Sequence, residues 1–379
     1  MSTYSLYIHI PFCIKKCDYC DFTSFAGMDH FITQYVFALK AEIKTYSQGL
    51  NTPRLKSVYF GGGTPSILPE ETVDEILNAV RDSFPLEEKA EISMEVNPGT
   101  VNLAKLSSYR ASGVNRLSIG AQSFDDRELS RLGRVHTAGQ ISYTFNSARS
   151  AGFNNINLDL IFALPSQDIV SWSNNLKKAL SFRPEHLSTY NLVLEEGTPL
   201  FAKKNSLELP SEDEECKMFK EAIGLLTASG YDHYEISNFA TSGHKCLNNL
   251  TYWNNEEYIG VGAGATSYIE PSRYSNPKDI GSYITLWDNP DNSVLEARYR
   301  ANIQTKDQQF SETMFLGLRL TEGVDLRSLK QKFGENIVNK YKDEIADLIK
   351  EGLLSLDGFR LRLTQRGLFL ANEVFEKFV

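Results

Sequence analysis

Residues 7–20 read YIHIPFCIKKCDYC, an aliphatic and aromatic run that ends at Pro11 and is followed almost at once by three cysteines. The residues before the proline have the composition of a buried strand, and the proline marks its exit. Cys13, Cys17 and Cys20 are separated by three and then two residues. The stretch therefore predicts a strand that delivers a tight, thiol-rich loop at its carboxyl end.

Three thiolates at this spacing can bind three irons of a 4Fe-4S cluster and leave the fourth iron open. Structural zinc is the alternative, but closed zinc sites take four ligands, commonly as two pairs, and no second cysteine pair lies nearby. His9 can supply a fourth ligand in principle, although its position within the strand favours an ordinary strand histidine. The other two cysteines, Cys216 and Cys246, are distant, so the pattern indicates metal or redox chemistry in a reducing compartment.

Short β-branched or aromatic runs alternate with helical patterns as far as about residue 235. The predicted strands cover residues 5–10, 57–60, 91–96, 116–121, 155–162 and 186–192. Between the second and third of these, a helix is predicted over residues 69–83, where Pro69 and two glutamates suit a first turn. The alternation predicts an α/β fold with a parallel sheet, and six units suit a partial (β/α)6 barrel better than a closed eight-stranded one.

Polar or glycine residues stand at or just after the carboxyl end of each predicted strand. They are Pro11 and Phe12, residues 61–64, Glu95, Gln122, Asp159 and Asn191. Glycine and asparagine also make ordinary turns. Because the pattern repeats over six strands, and ligands of such barrels bind at that rim, it predicts a binding site there.

Three segments are predicted: a barrel over residues 1–235, a linker region packing on the barrel mouth over 236–310, and a C-terminal unit over 311–379. The last shows helical patterns over 311–318, 325–333 and 336–351, a hairpin turning at Asp357-Gly358, and Thr364 as a helix cap. Helices followed by a hairpin predict a winged-helix-like domain.

The charge pattern argues against nucleic acid as a partner. The whole chain has a formal net charge of -9, and residues 311–379 carry 11 Lys+Arg and 11 Asp+Glu, a net charge of zero. Phosphate backbones call for an excess of basic residues, so packing or partner docking is favoured over DNA binding for the C-terminal unit. No apolar run approaches the ~20 residues of a membrane span, and the N-terminus lacks the features of a secretion signal. A cytoplasmic protein is expected.

Several motifs carry a resemblance to a known family: YIHIPFC (7–13), FGGGTPS (60–66), EVNPG (95–99), GAQSF (120–124) and DLIFALP (159–165). With the CIKKCDYC loop they resemble the oxygen-independent coproporphyrinogen oxidases of the radical S-adenosylmethionine (SAM) superfamily, over essentially the whole chain. The resemblance implies a radical-SAM barrel, and a 4Fe-4S cluster whose open iron is completed by the methionyl amine and carboxylate of SAM. It also implies reductive cleavage of SAM to a 5′-deoxyadenosyl radical.

The same resemblance implies which residues hold SAM. Tyr7, Gly62 and Glu95 would contact the cluster-bound SAM, and a second SAM position would be surrounded by Gly63, Thr64, Gln122, Arg134 and Asp159. These roles suit the residue types, because glycine lets a ligand approach the backbone and a carboxylate accepts hydrogen bonds from an ammonium or a hydroxyl. Arg134 would meet a carboxylate; the alternative is a solvated cation at a helix end. No catalytic acid or base is predicted.

Two departures point to one branch of that family. Phe22 stands where the coproporphyrinogen oxidases carry a further cysteine, and the first strand begins within a few residues of Met1. Both features resemble the HemW-type heme chaperones, which implies that heme is bound and passed to an acceptor protein of unknown identity. The alternative is a catalytic radical SAM enzyme acting on a tetrapyrrole or another substrate. Whether the chain forms a dimer is left open.

A His-Asn-x-x-Tyr-Trp motif in that branch is linked to heme binding. Here Asn249, Tyr252 and Trp253 match it, but Asn248 replaces the histidine, and an amide is a poor iron ligand. His244 and Cys246 lie just upstream and are of residue types that ligate heme iron. The alternatives are a loop histidine, a buried cysteine and aromatic residues that fill core space.

Overall fold

Strands and helices alternate along most of the chain in the computed structural model, which describes residues 3–288 and 290–378. The strands are β1 (Thr3–Ile10), β2 (Phe12–Cys13), β3 (Phe25–Ala26), β4 (Arg54–Gly62), β5 (Leu86–Val96), β6 (Arg116–Gln122), β7 (Ile156–Phe162), β8 (His186–Asn191), β9 (Asp232–His233), β10 (Asn238–Ala240), β11 (Tyr258–Val261), β12 (Thr266–Ile269), β13 (Ser272–Ser275), β14 (Val324–Asp325), β15 (Leu354–Asp357) and β16 (Arg360–Leu363).

The helices are α1 (Ile32–Gly49), α2 (Glu70–Ser83), α3 (Leu103–Ala111), α4 (Asp126–Arg131), α5 (Ala138–Ser150), α6 (Ile169–Ser181), α7 (Pro199–Ala202), α8 (Glu212–Ala228), α9 (Leu247–Trp253), α10 (Ile280–Leu286), α11 (Asn292–Ala301), α12 (Lys306–Gly317), α13 (Leu326–Phe333), α14 (Glu335–Lys340), α15 (Lys342–Lys350), α16 (Gln365–Phe369) and α17 (Ala371–Phe375). Among the described residues, none of these helices is long and apolar enough to cross a bilayer.

The large sheet is built on six parallel strands, β1 and β4 to β8, which lie side by side in chain order. The crossovers between them are helical, as a parallel sheet requires. Within the described residues the outermost strands of this sheet, β13 and β9, do not pair with each other, so the barrel is open. The predicted partial (β/α)6 barrel is confirmed.

Local sequence sets where the helices begin. The predicted helix over residues 69–83 is α2, which starts directly after Pro69. Thr137 and Gln140 form a capping box at α5, and Ser211 and Glu214 form one at α8. The buried faces of these helices join the apolar side chains of the sheet in one large core.

The stretch predicted as a linker contributes strands to the main sheet. β11 pairs in parallel with the free edge of β1, and β12 and β13 extend the sheet further. A strand edge exposes unpaired N–H and C=O groups, and covering it with β11 satisfies those of β1. These strands are only four residues long, and such short runs give a weaker strand signal than the longer runs of the barrel. The boundaries at residues 235 and 310 stay a prediction.

The C-terminal unit has its own apolar core, which runs from Phe310 to Phe378. Its sheet has the order β14-β16-β15, and the hairpin of β15 and β16 turns at Gly358 with a φ of 59°. The hydroxyl of Thr364 accepts a hydrogen bond from Gly367 N, which confirms the predicted cap. The winged-helix-like arrangement of helices and hairpin is therefore confirmed.

The helix predicted over residues 336–351 is wrong as a single element, because α14 and α15 are separated at Tyr341. That residue has φ -96° and ψ 12°, outside helical geometry. Its ring stacks on Phe310 with centroids 5.0 Å apart and lies 5.7 Å from the ring of Phe378. Burying the aromatic ring in the core thus overrides the local helical pattern.

The hairpin of β11 and β12 has no room for a side chain at Gly260, since a Cβ there would lie 2.0 Å from the carbonyl oxygen of Thr266. We expect Gly260→Ala to lower the free energy of unfolding by about 1–3 kcal/mol, the usual cost of overpacking. Gly224→Ala is the control, because this exposed position in α8 has no neighbour within 4 Å. That control should be neutral or gain up to about 1 kcal/mol. Equal denaturant midpoints for the two variants would contradict this packing.

Candidate functional site: a polar cleft beside three cysteines

The carboxyl ends of the parallel strands and the loops that follow them enclose a cleft of about 390 Å³. Seven of the eight residues predicted to hold SAM line it, together with the three clustered cysteines. They are Gly62, Gly63, Thr64, Glu95, Gln122, Arg134 and Asp159, with Cys13, Cys17 and Cys20. Parallel strands bring their carboxyl ends to one edge, which is why residues so far apart in sequence meet there.

The cysteine loop is folded back on itself directly after β1. The short strands β2 and β3 on either side of the loop pair in parallel, and Phe25 N donates to Pro11 O at 2.7 Å. Within the loop, Cys20 N donates to Cys17 O at 3.2 Å. These backbone bonds hold all three thiols on the cleft side of the sheet edge.

Two side chains donate hydrogen bonds to the cysteine sulfurs. Thr64 Oγ1 donates to Cys13 Sγ at 3.5 Å, and Arg134 Nη1 donates to Cys17 Sγ at 3.4 Å. Burial raises the pKa of both Cys13 and Cys20, while the bond from Thr64 lowers that of Cys13. Because metals bind the thiolate, donors aimed at sulfur favour the ligating form.

The arrangement of the loop fits a cluster. Among the described residues, no three His, Cys, Asp or Glu side chains are grouped tightly enough to hold one metal ion; a 4Fe-4S cluster instead asks each thiolate for a different iron. A Cβ at Gly63 would lie 3.0 Å from Cys13 Sγ and 2.7 Å from Phe12 O. Glycine at this position therefore leaves open the space beside the sulfur.

Glu95 lies on the floor of the cleft as a hydrogen-bond acceptor. It accepts from Tyr59 OH at 3.0 Å and from Gly62 N at 3.2 Å. Burial, followed by the nearby Asp159 carboxylate, raises the pKa of Glu95 to about 8. A cation bound in the cleft would favour the charged form of this carboxylate.

Asp159 is the second buried carboxylate of the cleft. It accepts from Ser118 Oγ and from Asn157 Nδ2, each at 2.8 Å, and burial raises its pKa. With Arg134 on the same wall, the cleft offers two carboxylates and one guanidinium. This set of groups matches a ligand that carries both positive charge and a carboxylate, as SAM does.

Arg134 is directed into the cleft rather than into solvent. Its Nη2 donates to Gly120 O at 2.9 Å and also to Asn97 Oδ1. A Cβ at Gly120 would lie 3.3 Å from Arg134 Nη2 and 3.1 Å from Gln122 Nε2. Gln122 itself has a φ of 64°, a left-handed conformation that costs energy in a residue with a side chain. Such strain is concentrated where a ligand site fixes the backbone.

Tyr7 lies deeper in the barrel and does not line the cleft. His9 Nε2 lies 2.7 Å from Thr23 O, which can only accept, so this nitrogen carries the proton. His9 Nδ1 therefore accepts from Tyr7 OH at 3.0 Å. The His9 ring thus holds the segment after Cys20 by a hydrogen bond to the backbone carbonyl of Thr23, and does not take the metal-ligand role considered from the sequence.

The five residues predicted to contact heme lie outside the cleft. Helix α9, which carries three of them, packs at the opposite, amino-terminal end of the barrel. There Thr251 Oγ1 lies 2.7 Å from Ser5 Oγ, and Leu247 N donates to Glu91 at 3.4 Å. The segment of residues 236–310 places α9 at this amino-terminal end, while its Gly264 lies close to Thr23 beside the cysteine loop. Its packing on the barrel mouth stays a prediction.

These five residues have different surroundings. Cys246 is 1% exposed, its thiol donates to Glu91 at 3.7 Å, and burial raises its pKa to about 12. The Trp253 ring is covered by the Arg319 guanidinium at 4.4 Å. Tyr252 packs edge-on against Tyr258, and Asn249 and His244 are half-buried. Their part in heme binding stays a prediction.

Sequence reasoning missed several residues of the cleft, among them Asn97, Ser118 and Tyr19. Asn97 Nδ2 donates to Thr64 Oγ1 at 3.0 Å, and its signal was the EVNPG motif that also contains Glu95. Strand alternation could have identified Asn157 and Ser118. Asn157 stands two residues before Asp159, and Ser118 stands two residues before Gly120, so each faces the same side as a cleft residue.

Family models match two parts of the chain. The radical SAM superfamily model matches residues 7–177, and the HemN C-terminal domain model matches residues 304–370. Among solved structures, the chain is similar to the coproporphyrinogen III oxidase HemN of Escherichia coli, a radical SAM enzyme, with a TM-score of 0.84 and 26% identity. That match covers 100% of this chain and 90% of the other.

Curated relatives match along nearly their whole length. The heme chaperone HemW of Bacillus subtilis is 37% identical over 99% of both chains. That of Lactococcus lactis is 36% identical over 99% of this chain and 97% of the relative. That of Escherichia coli is 34% identical over 99% and 98%.

The raised pKa of Glu95 gives a pH dependence of stability. A folded-state pKa of about 8, against an ordinary value of 4.5, means that the folded state binds this proton more tightly. The contribution to stability is complete below pH 4.5 and is lost as the pH rises to 8, by up to about 1.4 kcal/mol per pH unit. The free energy of unfolding, measured with denaturant between pH 5.5 and 7.5, should therefore fall less steeply with pH for Glu95→Gln than for wild type.

The control is Glu88→Gln, an exposed position on the same strand, β5. This variant should keep the wild-type slope. A Glu95→Gln slope equal to that of the control would contradict the burial of a protonatable carboxyl at this site.

Proposed function

The chain belongs to the HemW family of radical SAM proteins, and on that basis we propose that it is a heme chaperone that binds heme and passes it to an acceptor protein. We also propose that it binds a 4Fe-4S cluster and SAM. The observation that carries it is the convergence of three cysteines and seven predicted SAM residues on one cleft. The chain also matches proteins named heme chaperones from end to end.

Each part of the cleft has a task in this proposal. Cys13, Cys17 and Cys20 hold the cluster, which when bound supplies one-electron chemistry and an open iron for the SAM amine and carboxylate. Thr64 and Arg134 donate to the sulfurs and keep them as thiolates. The carboxylates on the floor accept hydrogen bonds from the ligand, and residues 62–63 let its polar end approach the backbone.

The same cleft supports a second function, a catalytic radical SAM enzyme acting on a tetrapyrrole or another substrate. The three cysteines and seven of the eight residues predicted to hold SAM line the cleft, and this favours a protein that still cleaves SAM. Formation of 5′-deoxyadenosine that depends on added coproporphyrinogen, in reconstituted and reduced protein, would establish that function. Phe22 is 62% exposed on the rim, at the position where the oxidases carry a further cysteine, which counts against the oxidase reaction itself.

For the iron of heme we favour His244 over Cys246. The imidazole is half-buried, and its contacts are local ones, to Thr241 Oγ1 at 3.0 Å and to Ser242 O at 3.1 Å. The thiol of Cys246 lies inside the barrel against Glu91. A ring on the surface can reach an iron with little rearrangement, whereas the thiol would require α9 to move.

Heme titration of the cluster-loaded protein tests the proposal through the Soret band. We expect stoichiometric binding by wild type, at least a tenfold loss of affinity in His244→Ala, and wild-type binding in Cys246→Ala. His30→Ala is the matched control, since His30 is an exposed histidine elsewhere on the chain. Failure of the loaded wild type to bind heme would overturn the chaperone function. Loss of binding in Cys246→Ala alone would reverse the choice of ligand.

A further inference from the structure

A line of buried hydrogen bonds runs from Asp159 in the cleft through the barrel to the residue that precedes α9. Asn157 contacts Asp159 Oδ1 at 2.8 Å, and on its other side Asn157 Oδ1 lies 2.7 Å from His186 Nδ1. His186 Nε2 lies 2.8 Å from Tyr234 OH, which in turn accepts from Cys246 N at 3.4 Å.

The chemistry of the groups fixes the direction of every bond in this line. A carboxylate only accepts, so the amide NH2 of Asn157 must face Asp159 and its carbonyl oxygen must face His186. His186 Nδ1 therefore carries the proton, and Nε2 is left as an acceptor. Tyr234 must then donate its hydroxyl proton to His186. Every donor along the line points toward Asp159.

The ring at the middle of the line stays neutral. His186 is fully buried, and burial together with the nearby Arg116 guanidinium holds its pKa well below the ordinary value. A neutral imidazole has one N–H only, so it cannot donate at both ends. The single proton of His186 therefore lies on Nδ1, facing Asn157 Oδ1, and Nε2 accepts from Tyr234.

This polar line is unusual as the filling of a barrel. Branched apolar side chains normally pack such an interior, and burying polar groups costs free energy unless each one is paired. His186, Tyr234 and Asn157 are all at most 3% exposed, and each is hydrogen-bonded to its neighbour on either side along the line. Retaining a fully paired polar path that ends at a cleft carboxylate indicates a role at that carboxylate.

We propose that Asn157, His186 and Tyr234 are positioning residues that hold Asp159 as a hydrogen-bond acceptor toward the bound SAM. This role rests on one part of the proposed function, the binding of SAM in the cleft. Ser118 holds Asp159 Oδ2 from the same side. Ser188 also hydrogen-bonds this carboxylate, and the lone pairs not used by these partners are left for the ligand.

The tautomer is the direct test, because it does not depend on any ligand. With 15N-labelled histidine in the full chain, which has six histidines, His186 is assigned by the signal lost in His186→Gln. We expect its shifts to report Nδ1–H and a neutral ring from pH 6 to 8. An Nε2–H tautomer, or titration in that range, would overturn the proposal.

SAM affinity of the cluster-loaded protein tests the consequence. Tyr234→Phe removes the donor to His186 and should weaken SAM binding about 3- to 10-fold. Asn157→Asp sets a second carboxyl beside Asp159 and should weaken it more than 10-fold. Tyr231→Phe is the matched control, because this buried tyrosine donates to Pro184 O outside the line, and it should bind SAM as wild type does.

Equal SAM affinities for Tyr234→Phe and Tyr231→Phe would overturn the role, since both lose one buried hydroxyl and only one belongs to the line. Absence of SAM binding in loaded wild type would overturn both this role and the SAM assignment. Intact SAM binding with no heme binding would remove only the chaperone function.

Discussion

The parallel pairing of β1 with β4 on one side and with β11 on the other fixes where the cysteine loop leaves the sheet. Because β1 is hydrogen-bonded along both edges, its carboxyl end cannot shift without breaking two ladders. Every neighbouring parallel strand ends at the same rim. The thiols, the glycine backbone of residues 62–63 and the cleft carboxylates are therefore brought together by sheet geometry rather than by closeness in sequence.

The interior of this barrel is organised by the cost of burying polar groups. Arg116 is 2% exposed, and its Nε lies 4.0 Å from Glu91. The lumen also holds Glu95 and Asp159 at the cleft and His186 below it, where an apolar filling would be the usual solution. Each group is tolerated because hydrogen bonds or opposite charges offset its desolvation. The result is a polar path between the cleft at one end and α9 at the other.

Helix α9 closes the amino-terminal end of that path. Thr251 bonds Ser5, the thiol of Cys246 bonds Glu91, and Trp253 is covered by Arg319 of the C-terminal unit. Asn248, at the position where the resemblance implies a histidine, is buried here. The cleft and the predicted heme region are thus separate surfaces, joined only through the barrel interior.

Sequence alone sufficed to predict the alternation of strands and helices, the thiol-rich loop, the C-terminal hairpin and ten residues of the cleft, namely the three cysteines and seven of the residues expected to hold SAM. Periodicity, cysteine spacing and turn chemistry are local, so they can be read along the chain. The folded structure was needed to show that β11 to β13 join the main sheet, that Tyr341 separates two helices and that α9 lies at the end opposite the mouth. It alone joined Asn157 to His186 and His186 to Tyr234, which lie 29 and 48 residues apart. Contacts between distant residues depend on which surfaces meet when the chain folds, and no local pattern records that.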